Sequence, residues 1–215
     1  MSTSLPASWR IFCAVEISEE ARRGAVEHAR RVGESAPRAR IGWERPEKMH
    51  LTLKFFGDVD TTRLSDIEDA LTRSAAGVGP FALKLQGAGT FPLGGPAAPR
   101  VLWLGVEDVS GGLAELRQRF ERECEAAGFA REARPFRPHL TLGRVRVPDA
   151  EARRAADAHR VLGLTPVAFV VTEVCLVRSE LGPGGSRYSV CARQVLAEES
   201  GESDHPRVTS DRRRE

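Results

Sequence analysis

Ile11 to Ile17 (IFCAVEI) is a short run of apolar, β-branched and aromatic residues, which predicts a strand. Ser18 stands next as a helix N-cap, with Glu19 and Glu20 in the favourable first turn, so a helix is predicted from Glu19 to about Val32. Pro37 to Pro46 reads as a loop, and His50 to Phe56 (HLTLKFF) as a second strand closed by Gly57-Asp58. Leu64, Ile67, Ala70 and Leu71 recur at helical spacing, predicting a helix over Thr61 to Ala76. Phe81 to Leu85 and Val101 to Val106 read as strands around a loop rich in proline and glycine, Phe91 to Pro99. Leu113, Leu116, Phe120 and Cys124 share one face of a helix over Leu113 to Ala127, with Gly128 at its C′ position. His139 to Val145 reads as a strand and Asp149 to His159 as a short helix. Val167 to Arg178 and Arg187 to Ala197 read as strands joined by the turn Gly182 to Gly185. Strands that also pair through turns favour an α+β fold over a doubly wound parallel sheet.

The chain has 215 residues, 41% hydrophobic and 29% charged, which excludes collagen-like, mucin-like and wholly disordered classes. That length suits one large domain or two lobes sharing a core. The formal net charge of +2 argues against coating long tracts of nucleic acid, so any such contact is expected at a strand end or single linkage. Cys13, Cys124, Cys175 and Cys191 form no C-x-x-C pair, and Cys13, Cys175 and Cys191 lie in strand-like runs as small buried hydrophobes. The first residues lack a basic segment followed by a long apolar one, and the longest apolar run, Val167 to Val171, is too short to span a bilayer. The expectation is a cytoplasmic protein with reduced thiols and no membrane contact. Residues 1–8 and 198–215 are polar and expected to be flexible, so His205 is set aside, leaving 9–197 as the working unit.

The chemistry-bearing feature is a repeat. His-Leu-Thr-Leu occurs at His50 to Leu53 and again at His139 to Leu142, 89 residues apart, suggesting two related halves. On a strand, residues two apart share a face, so each histidine and threonine point one way and the leucines the other. Imidazole and hydroxyl on one face suit a phosphate: Thr52 and Thr141 can donate hydrogen bonds to its oxygens, and His50 and His139 can serve as base and acid. A lone His-x-Thr would be an ordinary polar strand face; two copies in corresponding places point to function. A zinc site is the rival reading, but no carboxylate or third histidine falls near either motif at ligand spacing. His28 and His159, on arginine-rich helices, read as solvent-exposed.

The paired H-x-T-x motifs resemble the 2H phosphoesterase superfamily, and the wider pattern resembles its RNA 2′,3′-cyclic phosphodiesterases, long called 2′-5′ RNA ligases. The resemblance runs through Arg10 to Val15, His50 to Gly57 (HLTLKFFG), Phe91-Pro92, Val101 to Val106 (VLWLGV), Leu113 to Phe120, Pro138 to Arg144 (PHLTLGR), Ser179, Leu181 and Tyr188. Phe56 stands where the family usually has leucine. The resemblance implies a bilobal α+β fold, with two antiparallel sheets and flanking helices related by a pseudo-twofold axis about a central cleft. It also implies opening of RNA-terminal 2′,3′-cyclic phosphates to 2′-phosphates without metal or cofactor, His139 as proton acceptor and His50 as proton donor. The symmetry of the motifs does not itself say which histidine does which.

Three neighbours are further candidates for substrate binding. Lys54, four residues past His50, falls on the same face if the strand is regular. Arg144, five past His139, falls on the opposite face unless Gly143 bends the strand. Phe12 would face the cleft if Ile11, Cys13, Val15 and Ile17 face the core, and could stack on a base. The same residues would serve a related esterase acting on ADP-ribose 1″,2″-cyclic phosphate or 2′-5′ oligonucleotides. A non-catalytic RNA-end or nucleotide-binding module is the reading from another class. No large apolar stripe is left over, so a monomer is expected.

Overall fold

The computed structural model describes residues 8–94, 97–183 and 185–197; the expectations for residues 1–7 and 198–215 lie outside them. In chain order the elements are β1 (Ser8–Glu16), α1 (Glu19–Ser35), β2 (Ile41–Trp43), β3 (His50–Asp60), α2 (Leu64–Ala75), β4 (Phe81–Phe91), β5 (Val101–Asp108) and α3 (Gly112–Ala126). There follow β6 (His139–Val145), α4 (Ala150–Leu162), β7 (Val167–Val171), β8 (Glu173–Gly182) and β9 (Gly185–Val195). None of the described helices is long and apolar enough to cross a membrane.

The strands run antiparallel in the order β7-β4-β5-β6-β3-β1-β8-β9, with β2 added to β6. The sheet divides into two four-stranded halves, β7-β4-β5-β6 and β3-β1-β8-β9. Among the described residues these halves meet at one pair, Leu51 opposite Leu140. The join lies at the heart of the two His-Leu-Thr-Leu motifs, so the repeat is also the seam of the molecule. Helices α1 and α4 pack together beside β4, β6 and β7; α2 and α3 pack together, α2 beside β8 and β9 and α3 across the join beside β3, β4 and β5. The 2H architecture expected from the resemblance, an α+β fold of two sheet halves about a cleft, is present.

Central strand β1 is buried on both faces, which explains its unbroken apolar run. Ile11, Cys13 and Val15 enter the main core with Phe120, Leu71 and Leu83. Phe12 and Ala14 join Cys175 and Val177 in a smaller cluster beneath the cleft. Ser18 Oγ accepts the Ala21 N–H at 3.1 Å, capping α1 as its sequence dictates.

Several boundaries differ from the sequence expectation. Ile41 to Trp43 form a strand on β6, not loop. β3 continues past Gly57, whose φ of +75° lies beside a register shift opposite Ile11 and Phe12 and lets the strand bend without ending. The stretch expected as one strand from Val167 divides at Thr172 into β7, at one end of the sheet path, and β8, next to last at the other. Cys191, expected to be buried, is exposed on β9.

His28 and His159 are the largest correction, being 1% and 0% exposed. His28 lies in the Ala21, Ala25, Val32 stripe of α1, and His159 in the Ala152, Ala155 stripe of α4. Their rings meet, His28 Nε2 lying 2.7 Å from His159 Nδ1. The outer nitrogens reach carbonyls: His28 Nδ1 that of Gly163 at 2.8 Å, and His159 Nε2 those of Trp103 at 3.0 Å and Gly89 at 3.2 Å. Among the described residues no carboxylate joins the pair, while Arg31 and Arg160 lie near enough to oppose a further positive charge. Both outer nitrogens donate to these carbonyls, so one proton is shared between the facing nitrogens; burial, above all, opposes a second and pushes His159 down to about 4. Because the folded value lies below the unfolded one, this contribution to stability is intact above the ordinary histidine range and is lost as pH falls. Urea melts should show stability declining from about pH 6.5 towards pH 4 by on the order of 2–3 kcal/mol from His159, and H159F should remove that component of the slope.

Candidate functional site

At the seam the leucines of both motifs are almost fully buried, while His50, Thr52, His139 and Thr141 are half-buried on the other face. Continuing the Leu51–Leu140 register by one residue each way sets His50 opposite Thr141 and Thr52 opposite His139. Each histidine thus stands beside the other motif's threonine. All four side chains line one cavity of about 130 Å³, whose walls are completed by Phe12, Phe55, Arg144, Lys48, Glu44, Ser179 and Tyr188.

Both motif strands carry a bulge at the same place. Cys13 pairs with Lys54 and Ala14 with Thr52, leaving Leu53 as the extra residue. Leu102 pairs with Gly143 and Trp103 with Thr141, leaving Leu142 as the extra residue. An extra residue inverts the side-chain alternation beyond it. The residue five past each histidine therefore returns to the cleft: Phe55 in one half and Arg144 in the other. The residue four past turns inward. A Cβ on Gly143 would lie 2.8 Å from Ile41 Cγ2, so glycine there lets β2 pack against β6.

Lys54 is corrected by the same bulge. It is 5% exposed, and its ammonium donates to Glu121 Oε2 and to the Ala130 carbonyl, each at 2.7 Å. It braces α3 and the loop that leads to His139, and its charge is taken up there rather than in the cleft. Phe12 is also revised: it faces the cleft but is 3% exposed and stacks on the His50 ring at 4.7 Å between centroids. Its face is occupied by the imidazole, so it positions His50 rather than offering a surface to a base.

The two imidazoles are held alike. His50 Nδ1 lies 2.7 Å from the Lys48 carbonyl, and His139 Nδ1 lies 2.7 Å from the Arg137 carbonyl. A carbonyl only accepts, so Nδ1 carries the hydrogen in both rings and Nε2 is left as the nitrogen without one in the neutral form. His50 Nε2 lies 3.1 Å from Thr52 Oγ1. Tyr188 meets the His50 ring edgewise at 5.5 Å, and Phe91 meets that of His139 at 5.0 Å. Burial lowers the proton affinity of both; Arg144 lowers that of His139 further, while the Lys48 carbonyl and Glu16 partly offset the effect at His50.

Sequence reasoning missed Lys48, Glu44 and Phe55, and named Ser179 and Tyr188 only through the resemblance. Lys48 had a signal: it precedes His50 by two residues, as Arg137 precedes His139. Its ammonium donates to the Ser186 carbonyl and lies 5.6 Å from the Tyr188 ring centre. Among the described residues, the group with metal-ligand spacing is Glu16, Glu173 and Cys175, with Glu16 the strand partner of His50. Both of its carboxylates are engaged by Arg193.

The sequence profile of the 2′-5′ RNA ligase superfamily matches residues 18–183. A Methanothermobacter thermautotrophicus protein named RNA 2′,3′-cyclic phosphodiesterase is 36% identical over 182 residues, covering 84% of this chain and 95% of its own. A solved Thermus thermophilus structure superposes with a TM-score of 0.71 at 30% identity, covering 87% of this chain and 97% of its own. Escherichia coli LigT, solved with 3′-AMP, superposes with a TM-score of 0.64 at 25% identity, covering 88% of this chain and 98% of its own.

Proposed function

The chain belongs to the 2′-5′ RNA ligase superfamily, and on that footing we propose that it hydrolyses RNA 2′,3′-cyclic phosphate ends to 2′-phosphomonoesters. The observation that carries the reading is the crossing of the two His/Thr pairs over one phosphate-sized cavity, with Arg144 beside them. The name borne by the similar Methanothermobacter protein, and the 3′-AMP held by LigT, support a nucleotide phosphate as the occupant.

The roles follow the resemblance. His139 Nε2 takes a proton from water as its oxygen attacks phosphorus. The bond from phosphorus to the 3′-oxygen breaks, and His50 Nε2 gives that oxygen its proton, leaving the phosphate on the 2′-oxygen. In-line displacement needs base and acid on opposite sides of phosphorus, a demand that imidazoles from two sheet halves can meet. Thr52, Thr141 and the Arg144 guanidinium stabilise the charge gathering on the non-bridging oxygens. No step requires a metal. With a 5′-hydroxyl in the place of water the same groups would join it to phosphorus as the bond to the 3′-oxygen breaks, giving a 2′-5′ linkage, the reverse of cleaving such a linkage. Residues 9–197 of one chain supply the whole site, which supports action as a monomer. Incubating the protein with a 2′,3′-cyclic nucleotide in EDTA should yield the 2′-phosphate; a 3′-phosphate, or activity that needs added zinc, would overturn the reading.

The productive free enzyme needs His139 neutral and His50 protonated. Burial lowers both below the ordinary histidine value, so kcat/KM should follow a bell centred below about pH 6.5. A bound phosphate anion favours the imidazolium forms and raises both values in the complex. The maximum of kcat should therefore lie at higher pH than that of kcat/KM. Coincident maxima, or a profile flat from pH 5 to 9, would argue against paired acid–base chemistry.

A further inference from the structure

His159 is wholly buried, lies outside the catalytic cavity and belongs to no step of the chemistry. Its Nε2–H donates to two backbone carbonyls, those of Gly89 at 3.2 Å and Trp103 at 3.0 Å. Gly89 on β4 and Trp103 on β5 are register partners. The ladder is interrupted on both sides of β5 at this point. The register shifts between Leu85 and Ala88 on β4, and between Leu102 and Trp103 where β5 meets β6. A bulge disrupts the ladder locally, and here an imidazole from α4 supplies a donor. Beyond these carbonyls lies the second motif. Trp103 is the register partner of Thr141, and Leu104 that of Leu140, the two motif residues nearest His139 on its strand being thus paired to β5. A Cβ on Gly89 would lie 2.2 Å from Trp103 Cζ2, so glycine lets the indole lie against β4. The indole centre stands 6.2 Å from that of His139 and 5.3 Å from that of Phe91, which itself meets His139 edgewise. The indole N–H is buried without a hydrogen-bond partner among the described residues, so packing and its own backbone fix that ring.

We propose that His159 is a positioning residue for the base: by holding the Gly89 and Trp103 carbonyls it fixes the bulged part of the sheet that carries His139 and the rings beside it. This rests on the functional reading above, in which His139 takes the proton from water. The two catalytic rings are supported differently. His50 stacks on Phe12, whose strand is buried on both faces. His139 rests on Phe91 and Trp103, whose strands carry irregularities, and the anchor for those strands reaches them from α4. A misplacement of about 1 Å caused by a distant change can cost on the order of a hundredfold in rate. The anchor is itself held. His28 on α1 faces His159 Nδ1 at 2.7 Å, which directs Nε2 to the carbonyls. Arg160 ties α4 to β4 a second time, through Thr90 Oγ1 at 3.2 Å, so the helix keeps its place when His159 is replaced.

The test measures kcat and KM for 2′,3′-cyclic AMP in the unsubstituted protein, H159F, H159Q, H139A and the double variant H139A/H159F. H159F keeps a buried ring and loses the donor, whereas H159Q keeps an amide N–H in reach of the carbonyls. H159F should lower kcat by about tenfold or more with KM within about twofold, and H159Q should regain most of that rate. On the H139A background H159F should cost less than about twofold, because its effect passes through the ring already removed. Urea unfolding shows which variants are folded. If H159F is not, H159N takes its place under the same expectations, since its shorter amide ends at the Nδ1 position and leaves the carbonyls without their donor. An unchanged kcat in H159F, equal losses in H159F and H159Q, or a full further loss on the H139A background overturns the proposal. If the unsubstituted protein opens no cyclic phosphate, it is the functional reading that fails; if it does and H159F matches it, only the role of His159 fails.

Discussion

Replacing His50 or His139 by alanine is expected to lower kcat by about a hundredfold or more, the usual contribution of a positioned acid or base, with the fold intact. Each ring is only half-buried and hydrogen-bonds one backbone carbonyl. Its loss leaves a solvated carbonyl rather than a hole in the core. The double variant should be scarcely slower than the worse single one, because the two rings act on one displacement. KM should change little, since Thr52, Thr141 and Arg144 still hold the phosphate. T52V and T141V should lose less than either histidine variant, each removing one hydrogen bond to a charged oxygen and leaving another in place. Single-turnover rates with a cyclic mononucleotide read these effects directly. Full activity in both histidine variants would move the site elsewhere.

The next largest effect is expected at the Lys54–Glu121 pair, on stability rather than chemistry. Both side chains are almost wholly buried, at 4% and 3% exposure, and lie 2.7 Å apart. Breaking such a pair by removing one partner typically costs about 3–5 kcal/mol, because the other charge stays buried without compensation. The two halves of the pair are not equivalent. K54M leaves Glu121 with Arg117 at 3.3 Å and the Glu132 N–H at 3.4 Å, so it should fall near the lower end. E121L strands both the Lys54 ammonium and Arg117, whose Nε is already buried without a partner among the described residues, and should fall near the upper end. The double variant K54M/E121L should recover the part of the E121L loss that comes from the stranded ammonium, since apolar groups of similar volume fill that space, while Arg117 still lacks its carboxylate. Urea unfolding of the four proteins completes the cycle. Additive losses would mean that the pair contributes nothing as a pair. Because Lys54 also ties the Ala130 carbonyl, E121L should lose some kcat as the loop leading to His139 loosens.

Much of the site was legible because strand periodicity is strict. Two His-x-Thr spacings place four polar groups on one face, and the leucines between them give that face its direction. The same strictness misled at Lys54. Counting by twos put it with His50, but a single extra residue at Leu53 inverts the alternation, and nothing in HLTLKFF announces that. In HLTLGR the equivalent bulge carries a glycine, so the bend at Gly143 could be anticipated and Arg144 placed. The buried His28–His159 pair was legible in part. Ala21, Ala25 and Val32 form a stripe that includes His28, but the arginines around it suggested solvent, and only tertiary packing brings α4 across. β2 is three residues long, too short for any periodicity. Thr172 divides a continuous apolar run because β7 and β8 pair with different partners, β4 and β1. Tyr188, Ser179 and Lys48 come from separate segments and meet only at the seam.

The roles of the two histidines can be separated with a cyclic substrate whose 3′-oxygen is replaced by sulfur. A thiolate departs without being protonated, so an acid is no longer needed, whereas the attacking water still requires a base. The expected result is that H50A, about a hundredfold or more impaired on the oxygen substrate, approaches the rate of the unsubstituted protein on the sulfur substrate, while H139A stays impaired on both. Rescue of H139A in place of H50A, or of neither, would contradict it.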